Sequence, residues 1–138
     1  MPDPDKRDHL LRIIVAQPEH EEGRALVKAS EFFDGNDDLG SIGCNLPNHP
    51  GLDMFRRAID QMAALPSVDQ VWLQIYDIEE GDWPFSENVL VFGDASAAEI
   101  ETRASLIEPS EVQEMHMDWT PTRHPTLVGR RYVNLWWD

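Results

Sequence analysis

Two β-rich runs close together in the sequence limit what this chain can become. Val71-Trp72-Leu73-Gln74-Ile75-Tyr76-Asp77-Ile78 puts Val71, Leu73 and Ile75 on one side and Trp72, Gln74 and Tyr76 on the other. Asn88-Val89-Leu90-Val91-Phe92 follows after the loop Glu79–Ser86. Strands joined by so short a connection pair antiparallel, because a parallel return needs a full crossover. The pair is a long-looped hairpin, and its apolar side needs a cover.

Two helices are predicted to supply that cover. Phe55, Ala58, Ile59, Met62 and Ala63 recur at helical spacing over residues 50–64, with Pro50 at the start and Leu65-Pro66 as the stop. Ser96 and Glu99 form a capping-box signature ahead of Ala97, Ile100, Ala104 and Ile107, and Pro109 ends that helix.

The remaining segments read as follows. Residues 1–8 are a loose terminus. Leu10–Ala16 is β-branched, stops before Pro18 and reads as a strand. Leu26-Val27-Lys28 is a short extended piece, and Ser30–Phe33 is one helical turn capped by Ser30. Val112–Met117 and the aromatic run Arg131–Trp137 are further strands. The predicted fold is α+β, with a ferredoxin-like βαββαβ order and an extra C-terminal strand. It has an antiparallel-rich sheet with two helices on one face, in a single domain over residues 9–138. Such a fold serves many functions and names none.

Charge narrows the function further. The chain of 138 residues carries 26 Asp and Glu against 11 Lys and Arg, a formal charge of −15. Nucleic-acid binding draws on cations that neutralise phosphates, so a nucleic-acid partner is disfavoured. Anionic membranes are disfavoured for the same reason. A basic protein is the partner such a surface attracts, although the same charge also serves solubility. The chain has 1 cysteine, which cannot form an internal disulfide and suits a reducing compartment. The N-terminal residues lack a signal-peptide pattern, and Leu10–Ala16 is too short to span a bilayer and contains Arg12. The expectation is a cytoplasmic protein. An aromatic final strand at a sheet edge would also suit a homodimer.

Candidate chemistry concentrates in residues 32–51, a long glycine-bearing loop with little periodicity. Cys44 and His49 lie in it, and a thiol beside a base can act as a nucleophile. The plainer use of a lone cysteine is packing. Asp34, Asn36, Asp37 and Asp38 offer oxygen ligands for a hard cation, but the spacing fails the EF-hand pattern, and Asx turns use the same residues. Glu79, Glu80 and Asp82 flank Trp83 and Phe85 in the hairpin loop. Aromatics ringed by acids suit a protein-binding hot spot, or else the loop folds back so that both rings cap the sheet. His9, His20, His49, His116 and His124 show no helical zinc spacing. No dinucleotide, P-loop, serine-elbow or Cys-x-x-Cys signature occurs, and no cofactor is implied.

The strings Gly35-Asn36-Asp37-Asp38-Leu39-Gly40-Ser41-Ile42-Gly43-Cys44-Asn45-Leu46, His49-Pro50-Gly51, Trp83-Pro84-Phe85-Ser86 and Trp136-Trp137-Asp138 resemble those of a family of uncharacterised bacterial proteins. The resemblance covers the chain from Ser30 onward and implies kinship without catalytic residues. The reading is a non-enzymatic, acidic, protein-binding domain. The alternative is a small enzyme or a ligand- or metal-binding domain with its site in residues 34–49.

Overall fold

The computed structural model describes residues 3–138. Five strands, β1 (Ala25–Val27), β2 (Val68–Asp77), β3 (Phe85–Gly93), β4 (Glu111–His116) and β5 (Arg131–Trp136), form one sheet in the order β1-β2-β3-β5-β4. Every neighbouring pair is antiparallel. The expected hairpin is β2–β3, with Trp72 opposite Leu90 and Leu73 opposite Val89.

Among the described residues, four α-helices accompany the sheet: α1 (Pro4–Val15), α2 (Ala29–Phe33), α3 (Leu52–Ala63) and α4 (Ala97–Arg103). All four feed a single core. Leu10 and Ile14 of α1, Phe32 and Phe33 of α2, Phe55, Ile59 and Met62 of α3 and Ile100 of α4 pack with Val27, Leu73, Ile75, Val89, Val91, Val133 and Leu135. The strand residues alternate in sequence, so they share one face of the sheet. That face therefore carries four helices where two were expected. Each fully buried Leu, Ile, Phe or Met in it contributes roughly 1.5–3 kcal/mol of transfer free energy.

The N-terminal expectation is corrected. Leu10–Ala16 is helical, not a strand, and residues 3–8 are not loose. The Asp3 carboxylate caps α1 by accepting from the N–H groups of Asp5 (3.0 Å) and Lys6 (3.2 Å), and Pro4 occupies the first turn. Leu10 and Ile14 stand four residues apart on the buried side, which is helical spacing. Met1 and Pro2 lie outside the described residues. From Ala25 onward, the order β1, α2, α3, β2, β3, α4, β4, β5 is compatible with the expected strand–helix–strand–strand–helix–strand sequence plus a closing strand, with two helices in the first helical place.

Among the described residues, no α-helix packs on the second sheet face. Leu26, Trp72, Leu90, Phe92 and Tyr132 are covered instead by the β4–β5 connection, through Met117, Leu127 and Trp119. Polar ties hold this strap down. The Glu19 carboxylate accepts from the Thr122 N–H (2.7 Å) and hydroxyl (2.6 Å). Arg123 donates twice to Glu31, at 2.5 and 3.0 Å. Arg130 donates to Asp69 at 2.7 Å. Arg24 lies over the Trp119 ring and Arg123 over the Trp72 ring.

The two sheet edges differ. At β1 the Gln17 side chain is buried and bonds Leu26, accepting from its N–H at 2.9 Å and donating to its carbonyl at 3.0 Å. A side-chain amide thus occupies the place of a sixth strand. At the other edge β4 runs beside β5 for six residue pairs without a register shift, and five of its six residues are exposed. The aromatic final strand β5 is interior, so the edge open to a second copy is β4 rather than the run Arg131–Trp137.

Candidate functional site

Residues 34–51 are shaped by their own polar side chains. Asn36 accepts from the Asp38 N–H (2.9 Å) and donates to the Ser41 hydroxyl (2.9 Å). Asp38 accepts from the Gly40 N–H (2.9 Å), starting the 3-10 turn Leu39–Ser41, and its other oxygen faces the Trp83 N–H at 3.4 Å. Asp34 points elsewhere and takes the Lys6 ammonium at 2.6 Å. Asp37 is exposed. The carboxylates of Asp34 and Asp38 therefore serve different elements, and Asn36 and Asp38 make the Asx turns weighed from sequence. Among the described residues, no group of three or more His, Cys, Asp or Glu side chains is placed to hold a metal ion.

Cys44 and His49 are not brought together as a nucleophile and its base. Both His49 nitrogens have backbone partners: Nε2 donates to the Ile42 carbonyl at 2.7 Å, and Nδ1 accepts from the Gly51 N–H at 2.9 Å. A carbonyl can only accept, so the neutral ring carries its proton on Nε2. The ring also lies 5.2 Å from that of Phe55 on α3. His49 thus joins the loop to the start of α3. Cys44 is exposed, and its thiol donates to the Asn45 side-chain oxygen Oδ1 at 3.7 Å. The packing role weighed for Cys44 is corrected too: the apolar anchor of the loop is Ile42, buried and bridged to Ser86 of β3.

The hairpin loop takes the folded-back form. Trp83 is fully buried, and its indole N–H donates to the Phe32 carbonyl at 2.9 Å. Its ring belongs to the core, which corrects its reading as an exposed anchor. Phe85, the first residue of β3, is half-buried. Glu79, Glu80 and Asp82 are exposed. Their loop is held through its backbone, because the Arg7 guanidinium donates to the carbonyls of Asp82 (2.7 Å) and Glu79 (3.1 Å).

Several of the basic side chains are committed to such internal ties. Among the described residues, Lys6, Arg24, Arg123, Arg130 and Arg131 sit in ion pairs with Asp34, Glu22, Glu31, Asp69 and Glu114. Burial acts to raise the Glu31 carboxyl pKa, but hydrogen bonds from Arg123 and the Lys28 N–H outweigh it and leave Glu31 below its ordinary value. Glu19 is lowered likewise: burial opposes the shift and the two Thr122 donors prevail. The Arg131 hydrogen bond lowers Glu114. Sequence reasoning missed Arg7, Gln17, Glu31 and Arg123. Each works across a long sequence separation or inside a turn, where no local pattern marks it.

The fold and its loops define a small α+β domain with one antiparallel sheet, four helices on one face and a polar-tied strap on the other. The chain belongs to the family described as the Uncharacterized protein YfbO family, whose model matches residues 5–135. It is similar to the Uncharacterized protein YfbO of Escherichia coli (strain K12), with 29% identity over 119 residues, covering 83% of this chain and 84% of that protein. No solved structure matches it. The kinship seen from Ser30 onward in the sequence thus reaches into α1. Among the described residues, no helix is long and apolar enough to cross a membrane.

Proposed function

We propose that this chain is a non-enzymatic, acidic protein-binding domain whose partner is a basic protein, encountered in the cytoplasm. The observation that carries this reading is the internal use of the cations. Lys6, Arg24, Arg123, Arg130 and Arg131 are each neutralised by a carboxylate of this chain, so the formal charge of −15 is borne by side chains outside these pairs. Such a field speeds encounter with a cationic partner and selects against anionic ones. The alternative site at residues 34–49 draws no support from its geometry, because His49, Asn36 and Asp38 are spent on the loop's own backbone. Affinity capture with the full chain, at stepped salt concentrations and with every retained protein identified, tests the reading. Basic partners whose retention falls steeply with salt are the expected result. Retention only of partners indifferent to salt overturns it.

A further inference from the structure

We infer that the outer edge of β4 takes an extended basic segment of the partner as a sixth strand. This inference rests on the basic-partner reading above and gives it a location.

An edge strand presents unpaired N–H and C=O groups, and proteins blunt such edges or use them. Here one edge is closed and the other is open. Gln17 fills the backbone of Leu26 at β1. Nothing comparable reaches β4: among the described residues, no side chain or backbone group outside β5 bonds its main chain. The strand is also regular. Its pairing with β5 has no bulge, whereas β2–β3 is interrupted by three register shifts. No proline lies within Glu111–His116.

The phase of the free backbone follows from the ladder. Beyond the strand end, the Met117 N–H donates to the Arg130 carbonyl at 2.9 Å. In an antiparallel pair, residues alternate between facing the neighbour and facing away. Glu111, Gln113 and Met115 therefore turn their backbone toward β5, and Val112, Glu114 and His116 turn theirs outward.

The side chains state what an added strand should carry. Glu111 lies on the strap-side face of the sheet, in register with Trp136, and Glu114 lies on the helix side, in register with Val133. Both are exposed. The Glu114 carboxylate is already paired through Oε1 with Arg131 at 2.6 Å and would be shared with the guest. Glu108 and Asp118, also exposed, flank the strand. A guest strand would meet these two carboxylates with Lys or Arg three residues apart, one on each of its faces. Apolar residues would stand opposite Val112 and Met115. A second copy of this chain fits poorly, because it would bring a further charge of −15 and another Glu-bearing strand to the same edge.

The test uses the full ¹⁵N-labelled chain and two acetylated, amidated peptides of equal charge. The first, Thr-Val-Lys-Thr-Val-Lys-Thr, has the required spacing and can extend. The second replaces both valines with proline and cannot complete a ladder. The expected result is roughly tenfold slower amide exchange at Val112, Glu114 and His116 with the first peptide only. Equal responses to both peptides overturn edge pairing, as does protection elsewhere or none at all, while leaving the salt-dependent capture of basic partners to stand or fall separately. Concentration-dependent protection of the same amides without peptide also overturns it, by assigning the edge to a second copy.

Discussion

The Gln17 side chain pairs with Leu26 as a neighbouring strand would, through bonds of 2.9 and 3.0 Å to its N–H and carbonyl. The same amide nitrogen also donates to the Ile13 carbonyl at 3.1 Å, which ties α1 to the sheet. Gln17→Ala leaves two buried backbone groups of Leu26 without partners. An unsatisfied buried group costs about 1–3 kcal/mol, so a loss of roughly 2–4 kcal/mol is expected. The urea midpoint of the variant measures it. Exchange at the Leu26 amide should quicken beyond what the global loss explains, because this edge opens first.

The strap predicts a pH dependence of definite sign. Glu31 and Glu19 both sit below the ordinary Glu value of 4.5 in the folded chain. The unfolded chain takes up these protons first as pH falls, so the stability they contribute is full above that value. It drains away as pH drops through their folded values. The Glu31 and Arg123 side chains are 20% and 23% exposed, so the pair is partly screened and is assigned about 1–2 kcal/mol. Glu31→Gln should lower stability at pH 7 and flatten the slope of stability between pH 5 and 3. Denaturant melts across that range, followed by near-UV circular dichroism of Trp72 and Trp119, read both effects.

The sheet was legible because strands advertise themselves by alternation. Val71, Leu73 and Ile75 face the helix core and Trp72 the strap core, while Tyr76 on that second side is exposed; Val89 to Phe92 alternate between the two cores. The error at Leu10–Ala16 has a specific cause. Leu10, Leu11, Ile13, Ile14 and Val15 are apolar whichever period is tried, so the run itself does not decide. The deciding signal lay outside it, in the Asp3-Pro4 cap. The strap was illegible as a cover because Met117, Trp119 and Leu127 have no period; they converge only through ties to Glu19, Glu31 and Asp69. In the candidate loop, residue types alone did not reveal that His49 faces Ile42 rather than Cys44.

Glycine positions in the two loops should respond unequally to alanine. Gly43 has φ +66°, and a Cβ there would stand 2.5 Å from Phe55 Cζ, inside the α3 contact. Gly81 has φ +84° but nothing within 4 Å. Gly81→Ala meets only the backbone penalty of the left-handed region, about 1 kcal/mol. Gly43→Ala adds overpacking against a buried ring, for a total of roughly 2–4 kcal/mol. Thermal melts of the two variants, made side by side, should separate them clearly.

The last prediction separates a structural loop from a reactive one. His49→Ala removes the donor to the buried Ile42 carbonyl, the acceptor for the Gly51 N–H and a ring contact with Phe55. A loss of about 2–3 kcal/mol is expected, with α3 starting less firmly. Cys44→Ala removes an exposed side chain whose thiol makes one long hydrogen bond, to Asn45, so stability should stay within about 0.5 kcal/mol. The native thiol should also be alkylated readily by iodoacetamide, since nothing covers it. A stability loss at Cys44 comparable to that at His49 would mean the thiol packs in solution. The loop would then be anchored at Cys44 as well as through Ile42 and His49.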